Sequence, residues 1–177
     1  MNEALARARS LIREIPDYPS LGIRFQDLTP LLADGPSFQA VVAELIPLAE
    51  KCQAIAGIEA RGFIFAAALA HRLKVGFVPI RKIGKLPFKT YEESYGLEYG
   101  SDVLQIHQDA IERGSRVLLV DDVLATGGTA GAGIRLIERA RGIVAGVSTI
   151  IEIDSLGGRA RIATDFPDMA VHAIFSI

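Results

Sequence analysis

Val117-Leu-Leu-Val-Asp-Asp-Val-Leu-Ala-Thr-Gly-Gly-Thr129 begins as a strand and ends as a loop. Val117–Val120 is an apolar run of the kind buried on both faces of a parallel sheet. It stops at Asp121 and Asp122. Adjacent carboxylates serve no packing purpose there, and ligands of open α/β sheets bind at the carboxyl edge of the strands. Ala125, Thr126, Gly127, Gly128 and Thr129 follow, and then a helical pattern. Glycines let the backbone approach a ligand closely. Successive N–H groups at a helix N-terminus attract anions, and threonine hydroxyls add donors. The loop therefore predicts a cradle for a phosphate monoester, and the carboxylates suit sugar hydroxyls or hydrated Mg²⁺. The bland alternative is a strand-to-helix turn capped by Asp122 or Thr126. The complete string weighs against it.

The rhythm around this stretch gives the fold class. Ala54–Ile58, Val75–Ile80, Arg116–Val120 and Ile143–Ile151 are short apolar runs, and helical patterns lie between them at Phe63–Leu73 and Gly128–Ala140. Such alternation predicts an α/β protein with a mostly parallel central sheet and helices on both faces. Val171–Phe175 reads as a last strand. Upstream, Ala4, Leu5, Ala8, Leu11, Ile12 and Ile15 predict an amphipathic helix. Pro16, Pro19, Gly22 and Pro30 then punctuate an irregular stretch. Ser37–Lys51 reads as a helix with Pro36 in its first turn, and Pro47 predicts a kink or an early end. Arg81–Gln105 breaks the rhythm, with a possible strand only at Asp102–Ile106. An insertion of that length in a compact domain reads as a lid or binding loop.

Composition excludes several classes. The 177 residues suit one domain with a real core, half of them are hydrophobic, and the net charge is -2. A molecule-wide basic field for nucleic acid is therefore missing, so an anionic ligand needs a local cluster of cations and N–H groups. Cys52 is the one cysteine, so no intramolecular disulfide forms. The first residues mix Arg and Glu among apolar residues, unlike a secretion signal. No apolar run is long enough to span a membrane. The expectation is a cytoplasmic protein without membrane or nucleic-acid partners.

A second anion site is legible at Glu59-Ala60-Arg61-Gly62, which ends the strand candidate Ala54–Ile58 and precedes a helix. Alone, Arg61 is equally a surface arginine beside a turn. Next to the first cradle, a second strand-end anion site becomes the better reading. Gly57-Ile-Glu-Ala-Arg-Gly62 is followed by Phe63 rather than Lys, so it is no P-loop. Arg81, Lys82, Lys85 and Lys89 place four cations in nine residues at the end of another strand. Charge runs are usually solvated, but this position suits screening of an anionic leaving group. Tyr95–Gly100, with Glu98, reads by itself as a hairpin turn.

The Val117–Thr129 string resembles the phosphoribosyl-pyrophosphate signature of the type I phosphoribosyltransferases. Four segments narrow the resemblance to the adenine phosphoribosyltransferases: Pro19–Pro30, Gly57–Phe63, Arg81–Pro87 with Ser94–Gly100, and Val117–Thr129. They stand in the family's order. The resemblance implies one Rossmann-like domain over 1–177, with a base-covering hood in 1–33 and a long flexible lid loop in 81–105. It implies that Ala125, Thr126, Gly127, Gly128 and Thr129 hold the ribose 5-phosphate and that Asp121 and Asp122 face the ribose. Glu59, Ala60, Arg61, Gly62, Arg81 and Lys85 would hold pyrophosphate around a cis Glu59–Ala60 peptide. Phe25 would stack on adenine, flanked by Arg24 and Gln26. Catalysis would fall to Glu98, handling a proton at the purine, with Arg61 and Lys85 offsetting charge on the leaving group.

The implied reaction joins adenine and phosphoribosyl pyrophosphate into AMP and pyrophosphate. Mg²⁺ would be held mainly by substrate and water near Asp121 and Asp122. A cytoplasmic homodimer is implied too, with Arg81 acting in its own site or across the interface. Arg24 and Gln26 differ from the apolar and Arg residues of some relatives. Their effect depends on whether the base contacts run through side chains or backbone. The residues alone leave the acceptor open, because stacking on Phe25 tolerates any base. A hypoxanthine, guanine or xanthine transferase would share the donor site. So would a phosphoribosyl-pyrophosphate-sensing regulator, although no helix-turn-helix precedes the core. Synthesis of phosphoribosyl pyrophosphate would need an ATP site that the sequence does not display.

Overall fold

Proline, glycine and serine cut the N-terminal stretch into short pieces in the computed structural model, which describes residues 3–97 and 100–177. The chain divides into two compact units, Met1–Glu44 and Leu45–Ile177. In the first, α1 (Glu3–Ser10) buries Leu5 and Ala8. The expected continuation to Ile15 is corrected. The Ser10 hydroxyl donates to the Arg7 carbonyl at 2.7 Å, which competes with further helix. Arg13–Pro16 then forms β1, and Arg24–Asp27 pairs with it as β2, antiparallel, with Ile15 opposite Phe25. The irregular stretch thus holds a hairpin, and α2 (Thr29–Ala33) follows it. Asp34 accepts the Ser37 N–H at 3.0 Å and so starts α3 (Gly35–Ala49), which runs through Pro47.

Asp27 ties the hairpin to α2. It accepts the Thr29 N–H at 2.9 Å, the Thr29 hydroxyl at 2.7 Å and Arg13 Nη2 at 2.6 Å. The Thr29 N–H first, then Arg13 and the Thr29 hydroxyl, hold its carboxyl down at about 2. A carboxyl depressed below its unfolded value, about 3.9, stabilises the fold above that value. The contribution is lost as pH falls toward the folded value. Asp27→Asn should therefore lower the urea midpoint at pH ~7 and lower it distinctly less at pH ~2.5, where most of the contribution is already lost. Equal losses at both would assign the effect to packing instead.

The second unit carries a seven-stranded sheet. Its strands are β3 (Ala54–Ile58), β4 (Gly76–Lys82), β5 (Thr90–Leu97), β6 (Gly100–His107), β7 (Arg116–Leu124), β8 (Ile143–Glu152) and β9 (Val171–Ser176). They lie in the order β5-β6-β4-β3-β7-β8-β9. β4, β3, β7, β8 and β9 run parallel, as the apolar runs predict. The helices are α4 (Gly62–Leu73), α5 (Gly128–Arg139) and α6 (Gly158–Asp165), with a 3₁₀ turn at Asp154–Leu156. Residue alternation on β3 sends α4 and α5 to opposite faces. A Cβ on Gly57 would lie 2.7 Å from Ala66 Cβ of α4, whereas Ile58 approaches Gly133 of α5. Around α5 the core gathers Ala56, Ile58, Leu119, Ile134 and Ile137.

The Arg81–Gln105 interval is corrected from loop to ribbon. β5 and β6 pair antiparallel from Thr90 opposite His107 to Leu97 opposite Gly100, and β6 joins β4 at Arg81–Gln105 and Lys82–Leu104. β5 is held from α5. Arg139 donates to the Glu92 carbonyl and stands 5.2 Å over the Tyr91 ring, while Arg135 Nε lies 3.7 Å from Glu93. Gln105 pins the ribbon to the preceding turn, accepting the Gly84 N–H at 2.9 Å and donating to Glu92 at 2.7 Å.

Candidate active site

β3 sits between β4 and β7, and its two neighbours follow it in the chain on opposite sides. Between β3 and β7 the winding reverses, and open α/β sheets bind their ligands at the carboxyl ends of strands at such a reversal. The two stretches singled out by their chemistry leave those ends: Glu59–Gly62 after β3 and Asp121–Thr129 along and after β7. The sheet register, Gly57 opposite Val120, fixes them side by side.

Asp121 and Asp122 are buried, with 8% and 7% of their surfaces exposed. Asp121 Oδ1 accepts the Asp122 N–H at 2.9 Å. Burial first, then the charge of Asp122, push the Asp121 carboxyl well above the usual range, and Arg61 opposes them. Arg61 Nε stands 2.6 Å from Asp122 Oδ2. Gly62 permits this closeness, since a Cβ there would meet Asp121 Oδ1 at 2.9 Å and the Asp121 Cα at 3.0 Å. The loop after β7 is thereby joined to the loop after β3 by an ion pair.

The Ala125–Thr129 loop has the shape its glycines require. Gly127 adopts φ +80° as the residue before α5, and Gly128 opens the helix. Ala125, Thr126 and Thr129 are half-buried, while Gly127 and Gly128 are buried. On the β3 side the Glu59–Ala60 peptide is cis, as the resemblance implies. Glu59 takes Arg81 Nε at 3.1 Å, Arg81 Nη2 at 2.9 Å and the Lys82 N–H at 3.0 Å. Arg81 is the largest cause holding the Glu59 carboxyl below the ordinary range.

The basic run divides its labour. Arg81 is forked onto Glu59 and also donates to the Lys85 carbonyl at 3.1 Å. Lys82 turns into the ribbon, where it bonds the Tyr95 hydroxyl at 2.8 Å and pairs with Asp102. Lys85 is exposed. The run is therefore not a uniform cationic screen. The Lys82–Tyr95–Asp102 network went unread in the sequence because its members lie on three strands. Glu98 lies outside the described residues.

In the N-terminal unit, alternation sorts Arg24, Phe25 and Gln26. Arg24 Nη1 and Gln26 Nε2 both reach Glu14, each at 3.3 Å. Phe25 faces the other way, opposite Ile15 in the register, with the Tyr18 ring edge-on at 5.1 Å. An aromatic face and the Arg24 and Gln26 side chains are thus on opposite sides of the hairpin. Among the described residues, no group of three or more His, Cys, Asp or Glu forms a metal cage, and no helix is long and apolar enough to cross a membrane.

Comparison with known proteins agrees with this geometry. The phosphoribosyl transferase domain family matches residues 33–171. The chain is 53% identical over 170 residues to an adenine phosphoribosyltransferase of Dinoroseobacter shibae, covering 95% of this chain and 94% of that one. The crystal structure of adenine phosphoribosyltransferase from Rhodothermus marinus superposes with a TM-score of 0.91 at 48% identity, covering 98% of both chains. The Saccharomyces cerevisiae enzyme, solved with D-2,5-dideoxy-2,5-imino-altritol 1,6-bisphosphate and adenine, gives 0.90 at 34% identity, covering 99% of this chain and 100% of that one.

Proposed function

The chain belongs to the adenine phosphoribosyltransferases and makes AMP and pyrophosphate from adenine and phosphoribosyl pyrophosphate, and we propose how its residues divide that work. One observation carries the reading: the Arg61–Asp122 ion pair at 2.6 Å, joining the loops after β3 and β7. The donor carries phosphate at both ends of a ribose, and these loops offer an anion site on either side of a carboxylate pair.

Ala125–Thr129 fixes the 5-phosphate through backbone N–H groups and the hydroxyls of Thr126 and Thr129. Asp121 and Asp122 orient the ribose hydroxyls and stabilise the cationic ring that forms as the anomeric bond breaks. Arg61, Lys85 and Arg81, with the Glu59–Gly62 loop, offset charge on the departing pyrophosphate. Purine N9 attacks the anomeric carbon, and Glu98 handles the proton at the base. Mg²⁺, when bound, screens the pyrophosphate charge. The buried Asp121–Asp122 pair suits a cation held otherwise by substrate oxygens and water. Most of the acceleration comes from positioning and electrostatics.

Phe25 stacks on adenine, and the opposed facing of Arg24 and Gln26 leaves backbone groups of β2 to read the base edge. Arg24→Ala should then change KM for adenine by less than about threefold, whereas Phe25→Ala should raise it about 10- to 100-fold. The reverse ranking, measured by steady-state kinetics, would assign recognition to the arginine side chain. The reading includes a cytoplasmic homodimer, supported by family membership. Light scattering should give a mass near twice 19.0 kDa, and cell fractionation should place the chain in the cytoplasmic fraction.

The deciding assay supplies phosphoribosyl pyrophosphate, Mg²⁺ and each base singly and measures nucleotide formed. Product from adenine alone is expected. Product from hypoxanthine, guanine or xanthine instead would move the acceptor. Product from none would favour a sensor of phosphoribosyl pyrophosphate.

A further inference from the structure

Arg161 stands where no motif points. α6 starts against the phosphate cradle itself: a Cβ on Gly158 would lie 2.2 Å from the Ala125 carbonyl and 3.0 Å from the Gly127 N, and a Cβ on Gly127 would lie 2.8 Å from the Gly158 carbonyl. Two glycine backbones in contact therefore set the position of α6. The first turn closes with the Arg161 N–H on the Gly157 carbonyl at 3.1 Å. This brings Arg161 Nη1 to 3.4 Å from the point a Cβ on Gly128 would occupy. The guanidinium thus reaches the residue that opens α5.

The neighbouring cations are committed elsewhere. Arg135 and Arg139 lie against Glu93 at 3.7 and 3.9 Å. Arg159 Nε bonds both oxygens of Glu152 at 3.0 Å. Among the described residues, Arg161 has only a 3.9 Å contact with Asp165, four residues on along the helix, between side chains 46% and 43% exposed. Such a surface pair is weak and yields readily to a better anion. A phosphate monoester near neutral pH carries close to two negative charges. The helix N-terminus offers about half a charge, so most of the phosphate charge is left for other groups to offset. A guanidinium matches phosphate oxygens in geometry and charge.

We propose that Arg161 is a further binding residue for the ribose 5-phosphate, completing with its guanidinium the backbone cradle of Ala125–Thr129. The inference rests on that stretch being the 5-phosphate site. It assigns Arg161 to the part of the substrate shared by the donor and AMP, and gives it no part in holding pyrophosphate.

The test is calorimetric titration of wild type, Arg161→Gln, Arg161→Lys and Asp165→Asn with AMP, ribose 5-phosphate and pyrophosphate, at low and high salt. Arg161→Gln should weaken AMP and ribose 5-phosphate about 10- to 100-fold, flatten their salt dependence and leave pyrophosphate unchanged. Arg161→Lys should recover part of the loss, and Asp165→Asn should bind as tightly as wild type or tighter. AMP affinity unchanged in Arg161→Gln would overturn the proposal. So would an equal loss for pyrophosphate, or the same loss in Asp165→Asn, since either would mean a disturbed α6 rather than a lost phosphate contact. Failure of the wild type to bind AMP or ribose 5-phosphate would instead remove the cradle assignment on which the proposal stands.

Discussion

Gly128→Pro should bind phosphoribosyl pyrophosphate and AMP about 100-fold more weakly than wild type while keeping its fold and its affinity for pyrophosphate. Proline is well suited to the first position of a helix, where the N–H has no intrahelical partner. Gly128 occupies that position in α5, so the helix survives. What is lost is one N–H donor of the proposed cradle, and the added Cβ would also press on the Gly96 carbonyl at 3.0 Å. The residue before a proline is also restricted, and Gly127 at φ +80° is the residue that shapes the turn. Cradle and donor fail together, whereas the β3 loop is untouched. Titration with AMP and with pyrophosphate separates the two sites. AMP affinity equal to wild type would mean that the Gly-Gly-Thr loop is an ordinary turn.

Arg61→Met should cost both turnover and stability. Loss of a cation aimed at developing negative charge lowers kcat/KM by about 10²- to 10³-fold. The stability loss has a separate origin. Arg61 is 31% exposed along its side chain and its partner Asp122 10%, so the pair is mostly dry on the carboxylate side. Removing the cation leaves Asp121 and Asp122 as adjacent buried anions. Breaking a buried pair costs about 3–5 kcal/mol, and the exposure of Arg61 reduces this to about 1–3 kcal/mol. Asp121, whose carboxyl burial and Asp122 already raise, rises further. A raised carboxyl stabilises the fold while protonated and loses that contribution as pH rises through its folded value. The thermal shift of Arg61→Met should therefore be larger at pH ~8 than at pH ~5. Adding Asp122→Asn should restore stability without restoring turnover. A single variant as stable as wild type at the higher pH would place Arg61 outside the carboxylates' field.

Much of this arrangement was legible because it is local. Ala54–Ile58 coincides with β3, and the helical pattern after Gly127 coincides with the start of α5. The two loops read as candidate anion sites lie where apolar runs stop at charged residues. Of the ribbon only one strand was legible, since Asp102–Ile106 falls within β6, while β5 was not. Glu92, Glu93 and Ser94 carry no apolar alternation, and their strand is held by arginines of a helix about forty residues downstream. The hairpin Arg13–Asp27 was hidden for a related reason, since its hydrogen-bonding partner β1 looked like the tail of an amphipathic helix. Arg161 was hidden most deeply. What gives it meaning is the contact of Gly158 with Ala125 and Gly127, a meeting of backbones that no spacing within the tail encodes.

The reversal of winding between β3 and β7 has an evolutionary corollary. The separation of the loops after β3 and β7 is set by one inter-strand hydrogen-bonding step, about 4.8 Å, and not by any side chain that drift could lengthen. On the proposed reading, the spacing that fits a sugar phosphorylated at both ends is part of the backbone of Leu45–Ile177, while Phe25, the proposed stacking partner of the base, belongs to Met1–Glu44. Selection can rewrite the acceptor end without recalibrating the donor end. On this view, a lineage needing a new nucleobase would change the hairpin and leave that spacing alone.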